Sequence, residues 1–160
     1  GIVDRKSEPY LARLRERAAG DPAIEFRVRP TDEEMRSFYR TCFGTLFTAF
    51  NEDWGLVVIE AMATGKPCVA TARGGPLEIV RPEGDGLLAE PTAEAFAAAM
   101  LRLATEPGLR ERIVAEAPVA ARRRFGWEGF ISALDDALEE ALQAAARTGA
   151  PLGRSEEVTA

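Results

Sequence analysis

Two carboxylates, Glu52 and Glu60, stand eight positions apart in the stretch "NEDWGLVVIEAMATGKPCVAT", residues 51–71. Between them lie Trp54, Gly55 and the wholly apolar run Leu56, Val57, Val58 and Ile59, and a second glycine turn follows at Arg73, Gly74, Gly75 and Pro76. Each ingredient has its own chemistry. A carboxylate accepts two hydrogen bonds in one plane, which suits the vicinal hydroxyls of a ribose or a sugar. A glycine at a helix start removes the side chain that would keep phosphate oxygens away from free backbone N–H groups. Together they could hold a nucleoside diphosphate and whatever is attached to its second phosphate.

The elements that must position these groups are a strand at 43–49 and a helix at 56–64. Ligands of open parallel sheets bind outside the carboxyl ends of the strands, where the next helix begins. The N–H groups of Trp54, Gly55 and Leu56 are expected to face outward there, with the helix dipole favouring a diphosphate. Glu60 lies about 7 to 8 Å along the helix from its start, the reach from a diphosphate to the ribose of the same nucleotide. Without a ligand, an acid inside an apolar helix needs a partner such as an arginine to offset its burial. Glu52 precedes the helix and would meet a sugar on the second phosphate. Equally, Glu52 and Asp53 could be acids near a positive helix end, each worth a few tenths of a kcal/mol, and spacing alone does not choose between these readings. The loop Arg73, Gly74 and Gly75 is by itself an ordinary strand-to-helix turn; beside the first loop it becomes a second wall of one cleft. Arg73 could reach a phosphate, whereas Lys66 in "GKP" reads as a solvated turn residue.

Further along, apolar spacing predicts a helix at 8–19, ended by Gly20, Asp21 and Pro22, and alternation in "AIEFRV" predicts a strand at 23–28. Thr31 and Glu34 form a capping box for a helix from Asp32 to about Thr41. "GIVD" at the start looks like the end of a buried strand. The helix at 56–64 has no polar face apart from Glu60 and should be packed on several sides, with Gly65 ending it. Buried strands are expected at 67–71 and 86–90. Thr92 caps an alanine-rich helix to about Ala104, and helices follow at 107–125, broken or kinked at Pro118, and from 127 to about 147. The tail 148–160 lacks periodicity and is expected to be disordered. Strands alternating with helices imply a Rossmann-like α/β fold, a parallel sheet with helices on both faces.

With 160 residues, 46% hydrophobic and 29% charged, the chain suits one soluble domain. A net charge of −6 argues against a general nucleic-acid binder. Histidine is absent, which removes a histidine base, a His-bound zinc and a Ser-His-Asp relay. Cys42 and Cys68 have no metal-like spacing and read as small buried hydrophobes in a reducing compartment. With no apolar run near the roughly 20 residues of a membrane span, cytoplasmic localisation is expected. Arg110, Arg112, Arg122, Arg123 and Arg124, interspersed with Glu111 and Glu116, read as a solvated helix face, with peripheral membrane contact as the alternative.

At Glu52 and Glu60, then "GGPLEIV" (74–80), "GDGLLAEP" (84–91) and "RRRFGWEGF" (122–130), the chain resembles the nucleotide-sugar-dependent glycosyltransferases of family 4, retaining enzymes of two facing Rossmann-like domains, the GT-B architecture. The resemblance covers about residues 1–145 and implies the donor-binding C-terminal half, residues 1–147 forming one domain. It implies that Glu60 binds the ribose, that Glu52 holds the donor sugar in catalysis, and that the Trp54, Gly55 and Leu56 backbone binds sugar hydroxyls and diphosphate. Val28, Arg29 and Pro30 align with the segment that touches the base, Val28 standing where a glycine is usual. The family's first strand and helix, which carry an Arg and a Lys for the diphosphate, would lie before Gly1, as would the acceptor-binding domain, leaving strand 43–49 at a sheet edge. No metal or cofactor beyond the nucleotide-sugar donor is implied.

Other readings are a non-catalytic nucleotide-sugar-binding half-enzyme that needs a partner chain, a phosphorylase or nucleotide-sugar epimerase on the same architecture, and a plain flavodoxin-like domain in which Glu60 is paired to an arginine.

Overall fold

The computed structural model describes residues 6–50 and 52–148. The chain divides into two compact units, Gly1–Cys42 and Phe43–Ala160.

The first unit holds helices α1 (Glu8–Arg17) and α2 (Asp32–Thr41). Ser7 precedes α1 and a proline occupies its first turn, where the missing N–H costs nothing. The capping box of α2 is formed: Thr31 Oγ1 accepts from the Glu34 N–H at 3.2 Å, and Glu34 Oε2 accepts from the Thr31 N–H at 2.7 Å. The bond from the Thr31 N–H holds the Glu34 carboxyl below its usual value. The strand expected at 23–28 is not formed. Its residues are exposed or half-buried and run without a hydrogen-bonded neighbour strand among the described residues, and alternation without a partner cannot make a ladder. The expected strand end "GIVD" lies outside the described residues, as does the tail from 149.

The second unit contains a parallel sheet of β1 (Thr45–Phe47), β2 (Cys68–Thr71) and β3 (Leu87–Ala89), in that spatial order. Thr45 pairs with Cys68 and Phe47 with Ala70, while Val69 pairs with Leu87 and Thr71 with Ala89. Helices α3 (Leu56–Ala63) and α4 (Pro76–Ile79) make the crossovers, and α5 (Ala93–Thr105), α6 (Pro107–Phe125) and α7 (Trp127–Thr148) follow. All four β2 residues are buried. Alternate residues of a strand face opposite sides, so both faces of the sheet are covered at its centre. β1 is an edge, and Leu46 on it is 47% exposed.

The core joins Val58 and Met62 of α3, Val69 of β2, Ile79 of α4 and Ile113 of α6, all essentially without solvent contact. Each such side chain contributes about 1.5 to 3 kcal/mol by burial. Ala61, Ala117, Ala120 and Ala121, also buried, let α3 and α6 approach closely. Gly65, at φ 69°, ends α3 in the left-handed conformation. A Cβ there would lie 3.4 Å from Pro118 and 3.7 Å from the Val114 carbonyl. α6 runs through Pro118 as one helix, so of the expected break or kink there is no break; the carbonyl that Pro118 leaves without a donor is at Val114, against the end of α3.

Candidate functional site

In a parallel sheet every strand delivers its following loop to the same edge. Here the loops after β1 and β2 meet there, tied at their roots by the Thr71 hydroxyl, which donates to the Phe47 carbonyl at 3.1 Å. The Gly75 N–H donates to the Glu52 carbonyl at 3.0 Å. A Cβ on Gly74 would stand 2.5 Å from that carbonyl oxygen, and one on Gly75 would run into the Trp54 backbone. The two glycine loops are therefore packed backbone on backbone, which explains why this second turn is built of two glycines.

Gly55 caps α3 with φ 89° and ψ 50°, a left-handed conformation that glycine adopts without strain. Its N–H, expected to face outward, instead donates to Glu52 Oε1 at 3.2 Å. The half-buried Glu52 carboxylate thus sits at the positive end of α3 with its orientation fixed. Leu56 and Val57 occupy the first turn, where no carbonyl four residues back lies inside the helix to accept from their N–H groups.

α3 buries Val58, Ala61 and Met62 and turns Leu56, Val57 and Glu60 outward. Glu60 is exposed, so the burial cost expected for it does not arise. Its apolar neighbours are the unusual feature: Leu56 is 63% and Val57 41% exposed, and Trp54 is 48% exposed on the adjoining loop. A carboxylate bordered by exposed large apolar side chains is the pattern of a surface that receives a ligand. Arg73 is exposed and its guanidinium lies 4.8 Å from the centre of the Phe50 ring. Glu52, Trp54, Gly55, Leu56, Glu60, Arg73, Gly74 and Gly75 thus share one end of the second unit.

Val28, Arg29 and Pro30 belong to the first unit. Arg29 has φ 53°, a left-handed conformation uncommon outside glycine, and with Val28, Glu8 and Arg15 it lines a shallow hollow. Lys66 is half-buried beside Gly65, its N–H donating to the Ala61 carbonyl at 2.9 Å. Among the described residues no cluster of acids, cysteines or histidines could hold a metal ion, and no helix is long and apolar enough to cross a membrane.

Sequence reasoning missed two supporting residues, Asp85 and Arg124. Asp85 is 2% exposed and accepts from the Arg81 N–H at 2.6 Å. Arg124, expected on a solvated face, is directed inward and donates to the carbonyls of Glu78 and Ile79 at 2.6 and 2.7 Å. Arg110 stacks on Phe43 and Arg112 donates to the Glu83 carbonyl at 3.0 Å, so these two also have local partners. Arg122 and Arg123 line a hollow with Pro118, Val119, Glu128 and Gly129. The signal that was available for Asp85 is its place between two glycines: a Cβ on Gly86 would lie 3.0 Å from Val80 and 3.2 Å from the Cys68 carbonyl.

The family model described as Glycosyl transferases group 1 matches residues 3–119. A D-inositol 3-phosphate glycosyltransferase of Streptomyces bingchenggensis (strain BCW-1) is 34% identical over 134 residues, which are 83% of this chain and 29% of that protein. The chain therefore spans under a third of that curated relative. In structure it is similar to Anabaena HepE in complex with UDP and glucose, with TM-score 0.72 and 23% identity over 89% of this chain and 39% of that one. It is also similar to the C-terminal domain of a glycosyl transferase group 1 family protein (LpcC) from Francisella tularensis, with TM-score 0.64 and 23% identity over 79% and 69% of the two chains.

Proposed function

The chain belongs to the glycosyl transferases group 1 family, and from that premise we propose that residues 1–147 are the donor-binding domain of an enzyme that transfers a sugar from a nucleoside diphosphate to an acceptor. Its parallel sheet with flanking helices is one half of a GT-B glycosyltransferase. The observation that carries the proposal is the junction of the two glycine loops, where the Gly75 N–H meets the Glu52 carbonyl beside the first turn of α3.

In this proposal the diphosphate lies at the start of α3, where the N–H groups of Leu56 and Val57 and the helix dipole favour negative charge. Glu60 accepts from the ribose hydroxyls, and Trp54, Leu56 and Val57 lose exposed apolar surface against the donor. Glu52 holds the donor sugar. Its carboxylate, oriented by the Gly55 N–H, supports the positive charge that develops at the anomeric carbon as the diphosphate leaves. Glu52 is not proposed as a covalent nucleophile. Retention of configuration follows from family membership, and the acceptor with any base comes from the other half of the enzyme. Arg73 would approach the phosphates. Similarity to a protein bound to UDP makes UDP the first nucleotide to try.

Because the chain spans 29% of its relative, a second reading is a half-enzyme that binds the donor and turns nothing over alone. Turnover of UDP-glucose by the isolated chain would reject it.

The test is a thermal melt with UDP, GDP and ADP, run alongside Glu60→Ala. A nucleotide at a hundred times its Kd should add about 2.7 kcal/mol, and the expected result is a raised midpoint with one nucleotide that disappears in Glu60→Ala. No shift with any nucleotide, or an equal shift in the variant, would contradict the proposal.

A further inference from the structure

The last turn of α6 reaches the supports of both glycine loops. Arg124 Nη1 donates to the Ile79 carbonyl at 2.7 Å and lies 3.4 Å from Asp85 Oδ2, while Nη2 donates to the Glu78 carbonyl at 2.6 Å. Those carbonyls close the short helix α4, whose last turn has no internal donors for them, and Gly75 is the residue that caps the start of α4. The Asp85 side chain is 3% exposed and that of Arg124 20%. The guanidinium also lies over the Phe125 ring, 4.8 Å from its centre, and Phe125 meets Trp54 edge to face at 6.4 Å and 87°. One line of contact therefore runs from the buried Asp85 through Arg124 and Phe125 to Trp54, the residue before Gly55.

We infer that Arg124 is a positioning residue of the donor site: it caps α4 and so seats the Gly75 N–H on Glu52, and through Phe125 it seats Trp54, without touching the ligand. That role rests on the reading of residues 52–60 as the donor site. Lysine cannot take it over, because a single ammonium on a flexible stem lacks the planar fork that reaches two carbonyls and a carboxylate at once.

The experiment uses the whole chain with Trp127→Phe, which leaves Trp54 as the only tryptophan of the two in the sequence. Arg124→Lys and Phe125→Leu are introduced separately, and three quantities are read well below the melt: Trp54 emission, hydrogen exchange at the Gly75 amide, and UDP affinity by calorimetry. Arg124→Lys should move Trp54 emission to longer wavelength, speed Gly75 exchange by tenfold or more and weaken UDP about tenfold, equivalent to about 1.4 kcal/mol. Phe125→Leu should change the emission and the affinity while Gly75 exchange stays close to the parent. A lowered melting midpoint with all three quantities unmoved would overturn the inference. Should Arg124→Lys fail to fold, Phe125→Leu with unmoved emission and affinity overturns it alone. A parent chain that binds no UDP would reject the donor reading for UDP, while emission and exchange would still decide whether Arg124 positions the loops.

Discussion

Three glycines separate backbone strain from steric exclusion. Gly20 and Gly55 both have φ 89°, and a Cβ meets nothing within 4 Å at the first and only ordinary contacts of 3.6 to 3.7 Å at the second. Alanine at either position therefore meets the left-handed penalty alone, about 1 to 2 kcal/mol. Gly74 has φ 61° and its Cβ would also stand 2.5 Å from a backbone carbonyl that cannot rotate away, so strain and overpacking add to about 2 to 5 kcal/mol. Chemical denaturation of Gly20→Ala, Gly55→Ala and Gly74→Ala should rank Gly74→Ala as clearly the costliest. Equal losses at all three would mean that the loops are not in backbone contact. At this scale the sequence displayed Glu52, Gly55, Glu60, Gly74 and Gly75 as a group. It did not reveal that the Gly55 N–H binds Glu52, because a side chain's choice between two acceptors or donors is not written in spacing.

Among the elements, legibility followed how local the cause is. The capping box of α2, the Thr92 cap of α5, where Thr92 Oγ1 accepts from the Ala95 N–H at 3.2 Å, and the Gly65 stop of α3 depend on residues within one turn, and all were readable. The three strands were readable as short apolar runs between turns, two of them buried and β1 at an edge. The segment 23–28 carried the same alternation and formed no strand, since pairing depends on a neighbour that the segment does not contain. Arg124 was misplaced for a similar reason: adjacency to Arg122 and Arg123 gave composition, while the helical rotation of about 100° per residue turned it alone toward α4.

β2 gives a further expected outcome. Burial pushes the Cys68 thiol up from the ordinary value near 9 to about 11. In the unfolded chain that thiol ionises about two pH units earlier, so its contribution is complete below pH 9 and is lost as pH rises toward 11, by up to about 2 to 3 kcal/mol. Melts of the parent and of Cys68→Ala between pH 8 and 11 should show the parent losing more stability across that window. Parallel curves would mean that Cys68 is accessible to water in the folded chain.

Across the whole molecule, polar and apolar surface is distributed for contact with more than water. Leu56, Val57, Glu60 and the Trp54 of the preceding loop are all exposed at the loop end, and α7 exposes Trp127, Phe130, Leu134, Leu138 and Leu142 along one stripe. The proposed donor site lies at the loop end of the second unit, and the hollow beside Arg122 and Arg123 on α6 is a separate place with its own charge. These two locations make different demands on a nucleotide. The most direct measurement is an amide NMR titration of the chain with UDP, or with whichever nucleoside diphosphate raises its melting midpoint. The expected result is that the largest shifts fall on Gly55, Leu56, Val57 and Gly75. Binding with those amides unmoved and the shifts gathered at Arg122, Arg123 and Gly129 would contradict the assignment of the donor site.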